Sequence, residues 1–266
     1  RGVDILIGLA LVPIVIDFLD PERYGIWLVL VSITNYFNFL DIGLEKGFRY
    51  NSAQALAEGD REKAKYYVST TYATIALIVG VFFLVFLTMN PFLNWSKIIN
   101  ASSGLSDELS TLAIIVFSSF CISFVLKIST TMLVADHKPS IVNLRNLIDK
   151  SIKIISILLL SKFIDGSLLY LGLVFSISPV IVLLLITFFI FSKNYQEYKP
   201  SLSYVNPQYI KDLLQLGSKF FIIGIASVVL FATDNLIISH LFSPERVTPY
   251  QIAQKYFSIP IMLYML

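Results

Sequence analysis

Residues 67–89 read YVSTTYATIALIVGVFFLVFLTM, a run of twenty-three residues without a charged side chain. A helix of roughly 20 mainly apolar residues is long enough to cross about 30 Å of hydrocarbon. A strand of a transmembrane barrel has about ten residues of alternating polarity, and this run does not alternate. The run therefore predicts a membrane-spanning helix.

Apolar runs of this kind recur along all 266 residues. The AVILMFWYC residues make up 56% of the chain and the charged residues 14%, whereas soluble domains average about 45–50% and about 25%. We therefore predict an all-α, polytopic transmembrane helix bundle. Its eight predicted spans are residues 1–18, 24–44, 67–89, 109–134, 147–164, 168–192, 216–242 and 250–266.

The spans predict three regions. Residues 1–192 form a first bundle of six helices, residues 193–215 a cytoplasmic linker with an amphipathic piece, and residues 216–266 the start of a second bundle. The amphipathic piece either lies along the membrane surface or extends the next helix. The chain begins and stops inside apolar runs, so we expect it to be a fragment of a larger membrane protein.

The basic residues predict the orientation, because cytoplasmic loops are enriched in Lys and Arg. One set of loops and helix ends holds thirteen of them and the opposite set holds four, which are Arg23, Lys97, Lys162 and Arg246. The rich side is the predicted cytoplasmic side. The net charge of +2 is too small to indicate a nucleic-acid partner.

Polar residues recur at helical spacing inside several spans, for example Asn35, Asn38 and Asp41 in the second and Ser119, Ser123 and Lys127 in the fourth. Such a stripe faces protein or water rather than lipid, so several stripes together predict a hydrophilic cavity. The candidate cavity residues are Arg1, Asn35, Asn38, Arg49, Ser123, Lys127, Gln251 and Lys255.

Each charged candidate has an ordinary alternative. Residues near the cytoplasmic interface, such as Asp41, Glu45 and Arg49, can snorkel or form loop salt bridges. Lys127 lies well inside its run, and its alternative is an ion pair that holds helices together.

Familiar catalytic and metal-binding patterns are missing from the sequence. It has no G-x-x-x-x-G-K-[ST] phosphate loop, and His137 and His240 fall on opposite predicted sides of the membrane, which disfavours paired metal ligation. A single cysteine, Cys121, excludes an internal disulfide. We therefore expect no catalytic residue, metal or cofactor, and a protein that is not an enzyme.

Several short motifs resemble the polysaccharide (O-antigen type) flippases of the multidrug/oligosaccharidyl-lipid/polysaccharide exporter (MOP) superfamily. The first are Tyr24-Gly25-Ile26-Trp27 and Leu40-Asp41-Ile42-Gly43-Leu44. Others are Arg49-Tyr50-Asn51-Ser52-Ala53 with Glu58-Gly59-Asp60, then Asp234-Asn235 and Tyr250-Gln251-Ile252-Ala253-Gln254-Lys255. Glu45 departs from the pattern, because a small residue is expected there.

The resemblance implies a MATE-like fold, with two six-helix bundles around a cation-lined cavity. It implies a flippase of the bacterial inner membrane that moves an undecaprenyl-diphosphate-linked oligosaccharide to the periplasmic leaflet by alternating access. Without a nucleotide site, an ion gradient would drive it, with Asp234 or Asp41 as the ion carrier. Expected partners are the lipid-linked oligosaccharide, membrane lipids, a polysaccharide polymerase and a chain-length regulator.

Three alternatives stay open at this point. The first is a drug/cation antiporter of the same fold, in which buried carboxylates would outweigh buried cations. The second is a membrane polysaccharide polymerase or ligase, although every predicted loop is short. The third is a non-transporting scaffold, which would tolerate neutralisation of the buried charges.

Overall fold

The computed structural model describes residues 2–258 and Pro260, and all regular structure within them is helical. The predicted all-α class is therefore confirmed. The helices are α1 (Gly2–Phe18), α2 (Pro21–Tyr36), α3 (Leu44–Ala57), α4 (Arg61–Met89), α5 (Trp95–Ile99), α6 (Ser106–Ala135), α7 (Pro139–Leu160), α8 (Leu168–Phe189), α9 (Gln208–Leu241) and α10 (Pro244–Phe257).

Local sequence signals fix where these helices begin. Asp20 caps α2 by accepting a hydrogen bond from the N–H of Arg23 at 2.8 Å, and Asp60 caps α4 through the N–H of Lys63 at 3.0 Å. Each cap satisfies one N–H group that has no partner inside the helix. Proline, which tolerates the first helical position, begins α2, α7 and α10.

Within the described residues, three helical stretches are long and apolar enough to cross a membrane: Arg61–Phe92, Ser106–Ala135 and Leu168–Asn194. Leu6–Phe18 is a shorter apolar helix. Each matches a predicted span. The predicted fifth span lies largely in α7, which carries four charged residues. Of the eighth span, residues 259 and 261–266 lie outside the described residues.

The second predicted span, residues 24–44, is not one helix. α2 ends at Tyr36, a 3-10 turn covers Phe37–Asp41, and α3 begins at Leu44. Between the turn and α3, Ile42 and Gly43 have left-handed backbones with φ of 48° and 83°. Left-handed residues interrupt the α-helical hydrogen-bond ladder, so the prediction of an unbroken helix is wrong here.

Glycines allow α3 and α9 to cross with their backbones in contact. A Cβ atom on Gly43 would lie 2.0 Å from the carbonyl oxygen of Gly217, and one on Gly47 would lie 1.8 Å from that of Leu213. Gly43 and Gly47 are four residues apart, which is the small-residue spacing of closely packed membrane helices. This crossing holds the first part of α9 against α3.

α9 is continuous from Gln208 to Leu241, so the amphipathic piece forms its first turns. The segment before it, residues 195–207, is bound to α4. The N–H groups of Ser201 and Asn206 donate to the hydroxyls of Ser69 and Thr70, each at 3.1 Å. These bonds fix the connection between α8 and α9 to the helix bundle.

Aromatic rings fill the space around the break in the second span. Phe86 and Phe117 stack with ring centroids 4.0 Å apart, and Phe37 lies 4.9 Å from both Phe82 and Phe117. Aromatic pairs at such distances add stabilisation beyond their buried area. The 3-10 turn is thereby packed against α4 and α6.

Candidate functional site

The break between α2 and α3 places two carboxylates beside the middle of α6. Asp41 ends the 3-10 turn, and its Oδ1 accepts a hydrogen bond from the N–H of Glu45 at 2.6 Å. That bond satisfies a free N–H group in the first turn of α3 and holds Asp41 as a helix cap. Glu45 itself points toward α6.

Glu45 joins α3 to α6 through both of its carboxylate oxygens. Oε2 accepts from Nζ of Lys127 at 2.7 Å, and Oε1 accepts from Oγ1 of Thr131 at 3.0 Å. The two α6 residues are four apart and therefore lie on one face of that helix. Lys127 therefore forms an ion pair between two helices, which the sequence analysis gave as the alternative to an unpaired position in the cavity.

A cavity of about 230 Å³ lies between α3, α6 and α9 at this ion pair. Its lining carries two carboxylates and two ammonium groups, so its formal charges balance. The lining residues are Asn38, Asp41, Gly43, Glu45, Lys46, Phe124, Lys127, Phe220, Phe221 and Gly224.

The two members of the ion pair are unequally exposed. The side chain of Lys127 is 48% exposed and that of Glu45 is 21% exposed. Lys127 is eight residues before the end of α6 at Ala135, which corresponds to about 12 Å along the helix. The ammonium group is therefore accessible to a ligand at a depth well inside the helix ends.

A second ion pair is enclosed between α7 and α8. Nζ of Lys153 lies 2.7 Å from Oδ2 of Asp149, and both side chains are less than 15% exposed. The hydroxyl of Ser178 donates to the other carboxylate oxygen, Oδ1, at 2.6 Å. The ring of Phe175 lies 5.2 Å from the Lys153 ammonium. This closed pair joins two helices and offers no open face to a ligand.

Polar groups also join α2, α9 and α10. Nδ2 of the buried Asn235 donates to the hydroxyl of Ser32 at 2.7 Å, and Nε2 of Gln251 donates to Oδ1 of Asn235 at 2.7 Å. The hydroxyl of Tyr250 donates to the carboxylate of Asp234. These bonds satisfy buried polar groups within the helix interface.

The described residues contain no group of three or more His, Cys, Asp or Glu side chains placed to hold a metal ion. The arrangement around Lys127 is instead suited to ionic recognition. An ammonium group binds phosphate and carboxylate oxygens through charge-assisted hydrogen bonds. The neighbouring carboxylates of Asp41 and Glu45 are suited to cations.

The sequence matches the family model described as polysaccharide biosynthesis protein over residues 2–266. The chain belongs to this family. No curated protein sequence matches it. The fold of this polysaccharide biosynthesis protein is similar to that of a solved structure described as the inward-facing conformation of a multidrug resistance MATE family transporter of the MOP superfamily. The TM-score is 0.73 at 15% sequence identity, over 95% of this chain.

The chain spans 57% of the length of that transporter chain. The shared architecture confirms the predicted MATE-like fold. Together with the apolar helices, it identifies this polysaccharide biosynthesis protein as a multi-pass membrane protein.

Only some of the predicted site residues lie close together in the structure. Asn38, Asp41 and Lys127 line one cavity. Asn35 and Arg49 are exposed, and the hydroxyl of Ser123 is buried with no hydrogen-bond partner among the described residues. Arg1 lies outside the described residues.

The remaining predicted residues lie along the contacts of α10. Gln251 binds Asn235 at the interface with α9, and Nζ of Lys255 lies 3.4 Å from the hydroxyl of Tyr24 on α2. Asp234 is held by Tyr250. The structure therefore separates these three from the cavity at Lys127.

Sequence reasoning missed the partners of Lys127. In the sequence, Glu45 is noticeable as an interfacial residue that could form a salt bridge and as an acidic residue where the resemblance calls for a small one, but neither feature names its partner. Thr131 lies on the same face of α6 as Lys127, but no spacing rule connects that face to Glu45, 82 residues earlier. The contact depends on the break at Gly43.

Proposed function

We propose that this chain is part of a flippase that moves an undecaprenyl-diphosphate-linked oligosaccharide from the cytoplasmic to the periplasmic leaflet of a bacterial inner membrane. The product would serve O-antigen, capsule or exopolysaccharide synthesis. The observation that carries the proposal is the family match over residues 2–266, on a fold shared with a transporter.

The cavity at Lys127 is suited to this task in charge and position. A diphosphate with attached sugars does not cross hydrocarbon unaided, because burying unpaired charge is costly. Lys127 offers an ammonium group at membrane depth, and Asn38 and Thr131 add hydrogen-bonding groups beside it. The lipid tail stays in the bilayer while the headgroup moves through the polar space.

We further propose alternating access by rocking of one helix bundle against the other, driven by an ion gradient. Asp41 and Asp234 remain the candidate ion carriers. Asp41 is the better placed of the two, since it lines the cavity. A polysaccharide polymerase and a chain-length regulator are the proposed protein partners.

A second candidate is a drug/cation antiporter. Two observations favour it: the matched structure is described as a multidrug resistance transporter, and Asp41 and Glu45 place two carboxylates in the cavity. In that function the carboxylates bind the substrate, and Lys127 serves as the counter-ion of Glu45.

The test is transport by the full-length protein in liposomes that contain a fluorescent polyprenyl-diphosphate-linked oligosaccharide. Flipping is measured as the fraction of lipid that becomes accessible to a membrane-impermeant glycosidase. We expect wild type to expose the lipid and Lys127→Gln to slow exposure at least tenfold. Lys97→Gln, which removes an exposed lysine elsewhere, is the matched control.

Other outcomes exclude the proposal. Ion-coupled movement of a cationic dye without lipid flipping would support the antiporter. A new covalent glycan product would identify an enzyme.

A further inference from the structure

Lys127 already holds an anion, and that anion belongs to the protein. The Glu45 carboxylate lies 2.7 Å from the Lys127 ammonium inside the cavity. We propose that Glu45 occupies the position of the substrate's anionic headgroup, so that binding exchanges an internal carboxylate for a phosphate at Lys127. This inference rests on the proposed function and assigns a specificity-determining role to Glu45.

The geometry allows the exchange without leaving Glu45 unpaired. Its two oxygens are held separately, Oε2 by Lys127 and Oε1 by Thr131. When a phosphate takes Lys127, the bond to Thr131 remains, and the ammonium of Lys46 lines the same cavity. A buried carboxylate that keeps a hydrogen bond and a nearby cation avoids most of the cost of losing one partner.

Asp41 is less able than Glu45 to exchange partners when a ligand binds. Its Oδ1 accepts a hydrogen bond from the N–H of Glu45 at 2.6 Å in the first turn of α3. Lys127 and Lys46 attract the Asp41 carboxylate electrostatically, but the direct ion pair of Lys127 is with Glu45. Displacing Asp41 would leave an N–H group of the first helical turn without a partner. Of the two cavity carboxylates, Glu45 is therefore the one that competes for Lys127.

An internal competitor changes how tightly the site binds. An ammonium group with no counter-ion would hold a diphosphate through charge-assisted bonds alone and release it slowly. With Glu45 present, the bond to Lys127 that the headgroup loses on release is replaced by the bond between Glu45 and Lys127. The exchange therefore lowers affinity, and it favours ligands with enough negative charge to displace a carboxylate.

The test measures binding of farnesyl diphosphate to the purified full-length protein in detergent. Glu45→Gln removes the competing charge and keeps the side-chain shape, so we expect the Kd to fall by about tenfold. Lys127→Gln raises the Kd. In the Lys127→Gln background, Glu45→Gln leaves the Kd unchanged, which a merely structural role of Glu45 would not produce.

Glu58→Gln is the matched control, because it removes one glutamate charge at the exposed end of the same helix. If Glu45→Gln does not fold, Glu45→Ala replaces it with the same expected direction. Weaker or unchanged binding by the Glu45 variants, while Lys127→Gln weakens it, overturns the exchange and leaves the flippase proposal standing. Absence of binding by wild type overturns both.

Discussion

Gly43 meets two conditions that together admit no other residue. Its φ of 83° lies in the left-handed region, and a Cβ atom there would be 2.0 Å from the carbonyl oxygen of Gly217. The first condition disfavours residues with a side chain, and the second leaves no room for one. The position of the carboxylates beside α6 depends on this residue, because it connects the 3-10 turn to α3.

We expect Gly43→Ala to lower the free energy of unfolding by about 2 kcal/mol or more, from backbone strain and from separation of α3 and α9. The measurement is the unfolding midpoint of the purified protein in detergent. Gly80→Ala is the control, since its Cβ would meet nothing within 4 Å and alanine favours helices. Equal midpoints for the two variants would contradict the packing role of Gly43.

Single residues also show which features of the site could be predicted from the sequence. The polar stripes pointed to Asn38 and Lys127, and the structure places both of them at one cavity. They did not reveal that Lys127 is neutralised by Glu45, because helical periodicity relates residues on one helix and this pair joins two. Ser123 has the same spacing as Lys127, yet its hydroxyl is buried.

At the scale of elements, the turn between α6 and α7 is bound to the segment that follows α8. The hydroxyl of Tyr195 donates to the carboxylate of Asp136, and Nζ of Lys138 lies 2.6 Å from the same carboxylate. Burial opposes ionisation of Asp136, but these hydrogen bonds outweigh it and hold its pKa below the usual value. The bond to Asp136 likewise raises the pKa of Lys138.

These two shifts predict a wide pH range for the contact. The Asp136 contribution is complete above the ordinary carboxyl pKa of about 3.9 and is lost as the pH falls through the lowered value. The Lys138 contribution is complete below about 10.4 and is lost as the pH rises through the raised value. We therefore expect no change in the contact between about pH 5 and 9.

Hydrogen exchange of the backbone amides around Tyr195, corrected for intrinsic rates, measures this. Lys138→Met should raise the exchange rate by up to about fivefold, because the partly exposed ion pair is worth less than about 1 kcal/mol. The ratio of variant to wild type should stay constant across that pH range. Lys97→Met serves as control, and a ratio that changes steadily with pH would refute the assignment.

Hydropathy predicts some of the helices and misses other features of the fold. The apolar runs at 67–89, 109–134 and 168–192 lie in α4, α6 and α8 with its terminal turn, since length and apolarity alone determine such helices. The interruption at residues 37–43 was not predictable, because it arises from backbone conformation within an apolar region. The extension of α9 back to Gln208 is one of the two alternatives that the amphipathic piece left open, and the contacts with α3 that accompany it are not visible in a local pattern.

At the scale of the whole molecule, α10 is bound to the beginning of α2 at the predicted outer side. The hydroxyl of Thr248 donates to the carbonyl of Pro21 at 2.7 Å. A Cβ atom on Gly25 would lie 1.8 Å from the carbonyl oxygen of Pro244. This contact leaves no gap between the beginnings of α2 and α10.

We expect Gly25→Ala to separate α2 from α10 and to open the cavity toward the outer side. The readout is labelling of Asn38→Cys by a membrane-impermeant maleimide applied from outside, in a Cys121→Ala background. The labelling rate should rise several-fold relative to the parent with Gly25. Gly104→Ala, also on the outer side and with no atom within 4 Å of its Cβ, should not change it. A rate that Gly25→Ala leaves unaltered would count against this closure.

The bonds from residues 195–207 to α4, together with the crossing of Gly43 and Gly217, have a mechanical consequence. They fasten the beginning of α9, as far as Gly217, to α4 and to the start of α3. Residues 195–207 are therefore not a flexible linker between α8 and α9. Because Asn235 near the other end of α9 also binds Ser32 of α2, α9 is held against its neighbours at both ends, and the rocking proposed above would have to bend α9 or break one of these contacts.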